Sequence, residues 1–290
     1  MTATRDSALE FVGGLDFSGL ALPRASIRNI GRNLALQPAN AADTGTQEAS
    51  SPSGTTSASV SPIDQVRQNV NESFIVGSSI VSFDAGVTPE RRKAALRTTT
   101  AASLYAKQQA LAGDASRPNE FYLDALAHFG WDSQASRSGS YDFNGNDLEV
   151  NQAVGQVIQA ITKDATAIAL ATQLINSLQS MDKDDPWITL FNEESQQGQI
   201  AQFLVSLAHQ GANDDFLLDC LGFKLSARRT VVQVLFFKMS HESDNFSYNN
   251  DSYSLDDDIY NAIRDELTQK IIGFDQQFVG RLNFKGVPRN

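Results

Sequence analysis

The chain has a single cysteine and three histidines, and nowhere carries an apolar run long enough to span a bilayer. One cysteine excludes an intramolecular disulfide and any zinc site built on several thiolates. His128, His209 and His241 stand far apart, which argues against a histidine-rich metal centre. Basic residues are scarce: 23 Lys and Arg face 34 Asp and Glu, for a net charge of −11. No basic stripe is available to neutralise phosphates, so nucleic acid is not an expected partner. Glycine-rich phosphate loops (GxGxxG, GxxxxGK[ST]) are missing, which removes the nucleotide classes those loops define. HExxH and GxSxG are absent as well. The start of the chain places Arg5, Asp6 and Glu10 ahead of any apolar cluster, which does not read as a secretory signal. The expectation is therefore synthesis in a reducing cytoplasm, with release or membrane association left open.

What is present is ordinary globular material. The 290 residues are 41% hydrophobic and 20% charged, enough to bury a substantial core. The distribution is uneven. In residues 1–62, Arg24, Arg28 and Arg32 recur every fourth position opposite Ile27, Ile30 and Leu34, a short basic helix in prospect. Gln37–Pro62 is dominated by Ala, Ser, Thr, Gly and Pro. Such a segment buries too little apolar area to offset the entropy of ordering it. Residues 1–62 accordingly read as a flexible tail and linker, with a membrane-surface role for the arginines as the alternative. Residues 63–290 read as one globular domain.

The first half of that domain is predicted to be helical. Val76–Phe83 suggests a short strand or extended lead-in. Thr88-Pro89-Glu90 then supplies a hydroxyl cap, a proline at the first helical position and an acid in the first turn. That helix is expected to run to Gly113, and a second to span Asn119–Phe129, with Gly130 at its end. His128 reads as a packed histidine rather than a catalytic one. Arg137–Asp147 reads as a polar loop; Asp142, Asn144 and Asn146 mimic the start of a calcium loop, but Ala153 stands where the closing Glu belongs. Val150, Val154, Val157, Ile161, Ile168, Ile175 and Leu178 keep helical spacing, so Asp147–Met181 is predicted as one long, deeply packed helix.

After Asp184-Asp185-Pro186 the pattern shifts to strands: Trp187–Phe191, Gln199–His209, and a pair within Asp214–Met239. The apolar runs Phe216–Leu225 and Val231–Met239 flank a short polar turn, and the second run is apolar on both faces. Asn245–Tyr253 follows as a polar strand near an edge. Ser254 and Asp257 mark the start of a terminal helix with Ile259, Ile263, Leu267 and Ile271 on its apolar side, and Phe274–Leu282 reads as a further short helix. Segregated helices and strands predict an α+β fold. Its mainly antiparallel sheet of four to five strands lies in the second half, with helices on both faces.

Chemistry is sparse. Cys220 with His209 or His241 would make a nucleophile–base pair only if the fold brought them together. Apolar neighbours around Cys220 argue for an unreactive thiol. The acids at 256–258 read as partners of a helix N-terminus.

A helical half carrying Phe121, Tyr122, Leu126, Gly130 and Trp131 precedes Thr189–Phe191, Leu221–Phe223, Val234–Lys238 and the helix Ser254–Leu267. This series resembles the family of the Erwinia virulence factor and the bacterial and fungal proteins similar to it, over roughly Pro89–Leu282. The resemblance implies a non-enzymatic virulence protein that promotes persistence in an insect gut. It also implies a fatty acyl chain, palmitate, held as a thioester on a cysteine, which here is Cys220. Phe216, Leu218 and Gly222 share the Cys220 strand face and are the expected lining of that chain. The implied partners are the acyl chain and membrane lipid, with no metal and no nucleotide. Two alternatives stand beside it: a pore-forming or insecticidal protein inserting Asp147–Met181 or Asn245–Tyr253, and a cysteine-dependent acyltransferase or thioesterase.

Overall fold

The computed structural model describes residues 3–20, 61–114, 117–142, 147–211 and 214–282. Three strands of eleven residues each form its centre: β6 (Ile200–Gln210), β7 (Phe216–Ser226) and β9 (Asn245–Leu255). β7 pairs antiparallel with both neighbours along its whole length, and most of its residues are buried, with Lys224 exposed. A hairpin of β1 (Glu72–Val76) and β2 (Ser79–Phe83) joins β6 through a parallel pairing. The polar strand β3 (Trp131–Tyr141) pairs β9 at one edge, and β10 (Val279–Arg281) pairs β1 at the other. The order is β10-β1-β2-β6-β7-β9-β3, with the two-residue β5 (Gln196–Gln197) beside β6.

Helices cover both faces. On one lie α1 (Arg5–Gly14), α2 (Pro89–Leu111), α3 (Pro118–His128) and α7 (Asp257–Ile271), packed on Phe74, Phe83, Leu204, Phe216, Leu218 and Cys220. On the other lie α4 (Val150–Ile161), α5 (Ala165–Gln179) and α6 (Pro186–Ser195), packed on Ile75, Phe203, Val205, Leu221, Phe223 and Leu225. Alternation of strand side chains sends odd and even positions of β7 to separate cores. The class is the expected α+β, and the antiparallel pairings dominate. The sheet is wider than four to five strands because β1, β2, β3 and β10 come from segments outside the expected strand block.

Local signals set most element ends. The Thr88 side chain caps α2 and proline occupies its first position. Asp256, rather than Ser254, caps α7, its carboxylate accepting from the amides of Asp258 and Ile259. His128 is packed as expected, its ring stacked on Phe11 at 4.1 Å between centroids.

Several expectations are corrected. Asp147–Met181 is two helices, not one: α4 ends at Ile161, with Thr162 extended, and Asp164 starts α5 by accepting from the Ala167 amide at 2.8 Å. Trp187–Phe191 lies in helix α6, because Asp185 caps it and Pro186 takes its first position. Arg137–Tyr141, expected in a loop, belongs to edge strand β3. The predicted strand Val231–Met239 is a folded plug. Gln233 takes a left-handed conformation, Val234–Phe236 makes a 3₁₀ turn, and β8 (Lys238–Met239) pairs with β4 (Leu148–Glu149) instead of β7. Val231, Val234, Leu235, Phe236, Phe237 and Met239 fill the α4/α5/α6 core, while Val232 is exposed. Phe274–Leu282 holds only the short helix α8 (Asp275–Phe278) before β10.

Residues 3–20, expected within the tail, pack on the body. Thr4 and Ser7 form a reciprocal cap on α1, and Ala8, Val12, Leu15 and Phe17 are buried. Lys270 of α7 closes the other end of α1, its Nζ donating to the carbonyls of Gly13 and Leu15. The basic segment Arg24–Leu36 lies outside the described residues, as does Gln37–Val60.

Candidate functional site

Cys220 occupies the middle of β7, fully buried, on the face covered by α2, α3 and α7. Its cross-strand neighbours are Ser206 of β6 and Asp251 of β9. Sγ lies 3.5 Å from Ser206 Oγ. Burial pushes the thiol far above its usual pKa, and the nearby Asp219 and Asp251 carboxylates add to that; the Ser206 hydroxyl opposes it only in part. The group is a protonated, weakly nucleophilic thiol at neutral pH.

The pocket around the sulfur is more polar than its sequence neighbours suggest. Tyr122 of α3 and Ser79 of β2 are buried on the same side of the sheet. The Tyr122 hydroxyl faces those of Ser206 and Ser79, and burial holds its pKa well above the ordinary value. Neither Tyr122 Oη nor Ser79 Oγ has a hydrogen-bond partner of acceptable geometry. Proximity without alignment is the physical content of those two observations. A buried hydroxyl left unmatched costs about 1–3 kcal/mol, so this corner is short of an acceptor.

Of the expected lining, Phe216 and Leu218 are buried on the Cys220 face. Phe216 packs on Trp131, with ring centroids 5.4 Å apart. Gly222 shares the strand face but offers no gap, since a Cβ there would stand 2.2 Å from Asn249 Oδ1 and 2.9 Å from Asn119 Nδ2. Those two amides fill the space beside it.

Neither histidine weighed as a base reaches the thiol. His209 pairs with Leu217, so its side chain lies on the opposite face of the sheet from Cys220. His241 is half-exposed beside Asp142. His209 instead meets Asp219, Nε2 to Oδ2 at 3.1 Å, and Ser252 Oγ donates to the other oxygen of that carboxylate. Sequence spacing does not reveal this cluster, because only the register of β6, β7 and β9 brings its members together. Tyr122 is visible in the sequence as part of the Phe-Tyr pair, but its approach to Cys220 depends on how α3 crosses the sheet. Among the described residues, no group of three or more His, Cys, Asp or Glu side chains is arranged to hold a metal ion. None of the described helices is long and apolar enough to cross a membrane.

The fold and site thus define a three-layer α+β protein with a buried thiol in its central strand. No family model and no curated protein matches the chain. Similar solved structures include a delta-endotoxin, at 15% identity over 75% of this chain and 97% of that one, with a TM-score of 0.37. They include the Evf virulence factor, at 12% identity over 78% of this chain and 93% of that one, TM-score 0.35. A third is the activated Cyt2Ba monomer from Bacillus thuringiensis subsp. israelensis, at 10% identity over 44% and 74%, TM-score 0.29.

Proposed function

We propose that this chain is a non-enzymatic, toxin-like virulence protein that carries a fatty acyl group, palmitate in the first instance, as a thioester on Cys220 and associates with membranes. The observation that carries the reading is a fully buried thiol beside the buried Tyr122 hydroxyl, which has no hydrogen-bond partner. A thioester carbonyl supplies one. The hydrocarbon tail then runs past Leu218 and Phe216, because Asn249 and Asn119 close the side toward Gly222. Each methylene removed from water contributes about 0.8 kcal/mol, so a long chain adds substantially to a core of this kind.

The same geometry argues against turnover. A fully buried thiol with its pKa raised, out of reach of both His209 and His241, is poorly placed to attack or release an acyl group repeatedly. Acylation belongs to a stage before β7 is enclosed. There the Cys220 thiolate attacks the carbonyl of an acyl thioester donor; the new S–C bond forms as the donor's thiolate leaves and takes up a proton.

The test is the intact mass of the protein before and after hydroxylamine in denaturant, which exposes and cleaves a buried thioester. An added fatty acyl mass that hydroxylamine removes, and that Cys220→Ala never acquires, is the expected result. A bare sequence mass, with a thiol that titrates only after unfolding, overturns the reading. Membrane association requires the acyl chain to leave this core, and one chain gives only marginal, reversible binding, so flotation with liposomes is expected to be weak and to disappear after deacylation.

A further inference from the structure

His209 stands apart from the thiol site, on the α4/α5/α6 face, and is 1% exposed. Carboxylates approach both of its ring nitrogens. Nε2 lies 3.1 Å from Asp219 Oδ2 on β7, and Nδ1 lies 3.8 Å from Asp164 Oδ1. Asp164 is the residue that caps α5, its Oδ1 accepting from the Ala167 amide at 2.8 Å. The imidazole therefore stands between the central sheet and the start of a covering helix. Nδ1 has no hydrogen-bond partner.

Protonation decides what this arrangement does. A neutral ring that donates from Nε2 to Asp219 turns the lone pair of Nδ1 toward a second carboxylate, which is repulsive. A second proton on Nδ1 converts that contact into a charge-assisted attraction, and the cation is held between two anions. Asp219 from β7 and Asp164 at the N-terminus of α5 are the charged groups that face it, and the backbone of Gln210 on its own strand also favours the cation. Burial disfavours the charged ring, yet the hydrogen bond and charge of Asp219, with the charge of Asp164, outweigh it and raise its pKa. The positive end of the α5 dipole opposes a nearby cation, and the Asp164 carboxylate offsets that field.

We propose that His209 is a pH-sensitive latch: as imidazolium it ties the first turn of α5 to β6 and β7, and on losing its second proton it releases that tie. The raised pKa sets the direction. The stabilisation is complete below the ordinary histidine value and is lost as pH rises through the folded-state value. The latch is closed in acid and loosens as pH rises through the folded-state value, whether or not Cys220 is acylated.

The test follows the His209 ring and the Ala167 amide by NMR from about pH 5 to about pH 8, using the full chain. The expected result is a ring pKa above about 6.5, with the Ala167 amide shift titrating at the same midpoint. Asp164→Asn keeps a capping side chain, since Asn caps as well as Asp, but removes the charge. It should lower the ring pKa and weaken the Ala167 response. His209→Gln should abolish that response and flatten the matching part of the urea-midpoint profile against pH. A ring that titrates at or below the ordinary value, an Ala167 amide that ignores it, or an unchanged pKa in Asp164→Asn overturns the latch. Because Asp164→Asn leaves the core untouched, it remains informative if His209→Gln fails to fold.

Discussion

The two faces of the sheet are stabilised differently. Beneath α4, α5 and α6 the core is mainly aliphatic and aromatic, with His209 and Asn192 among the buried exceptions: Phe203, Phe223 and Phe246 stack in series, with centroids 5.2 and 5.4 Å apart. Beneath α2 and α3 the core holds many polar groups. Helix α2 buries Arg92, three consecutive threonines and Ser103. Arg92 pairs with Glu72 at 3.0 Å and donates to the carbonyls of Val87 and Asp84. The hydroxyls of Thr98, Thr99 and Thr100 donate back to carbonyls of their own helix. One face is held by burial of area, which tolerates imprecision. The other depends on each polar group meeting a partner, and Tyr122, beside Cys220, is a place where that condition fails.

The largest expected effect comes from breaking the apolar face. Phe223→Ala removes the middle ring of the stack and should destabilise the fold by about 3–5 kcal/mol, because a packed sheet centre collapses poorly around the void. Urea unfolding of the variant measures this. A loss under about 1 kcal/mol would mean that the stack is not a main support of that face.

This contrast also explains which parts were readable from residue order. The valine and isoleucine stripe of α4 and α5 announces a buried helical surface, and the alternation in β6 and β7 announces buried strands. The break between α4 and α5 was hidden because the stripe stays in phase across Thr162–Asp164; the usable signal was Asp164 as a cap, three residues before Ala167. Likewise Asp185-Pro186 repeats the Thr88-Pro89 signature, which outranks the strand-like run Trp187–Phe191. Val231–Met239 misleads for another reason. A short apolar run does not distinguish a strand from a plug, and the deciding contact, the Val234 amide donating to Asn192 Oδ1 at 2.7 Å, spans 42 positions. Edge strand β3 lacks alternation because most of it is exposed, so only its register with β9 defines it. For the site, Cys220, Phe216 and Leu218 were legible as one strand face. Tyr122, Ser79 and the surroundings of His209 were not, since each depends on elements meeting across the fold.

A medium effect probes the polar face. The indole of Trp131, fully buried at the start of β3, donates to Thr98 Oγ1 at 3.0 Å. Thr98→Val keeps the side-chain volume but strips the acceptor, leaving a buried N–H unmatched at a cost of about 1–3 kcal/mol. Trp131→Phe in the same background should recover part of that loss, because it removes the stranded donor. If the double variant is no better than Thr98→Val, the hydrogen bond is incidental and the polar face is held by packing, as its counterpart is.

The smallest effect is the most discriminating, because its sign carries the answer. In protein with a free Cys220, the Tyr122 hydroxyl is buried without a partner, so Tyr122→Phe removes a burden and should stabilise by about 1 kcal/mol. In acylated protein the same hydroxyl has the thioester carbonyl to donate to. Tyr122→Phe then deletes a made hydrogen bond and should destabilise by about 0.5–1.5 kcal/mol. Paired melts of the wild type and Tyr122→Phe, each as acylated protein and as protein deacylated in denaturant and refolded, contain both cases. A change of sign on deacylation places the carbonyl against Tyr122. A stabilisation that persists in confirmed acylated protein directs the carbonyl elsewhere and leaves Ser79 as the donor to test next. Destabilisation in both states would mean that Tyr122 pairs with Ser206 or Ser79 after all, and the polar face would then be as fully satisfied at Cys220 as it is at Arg92.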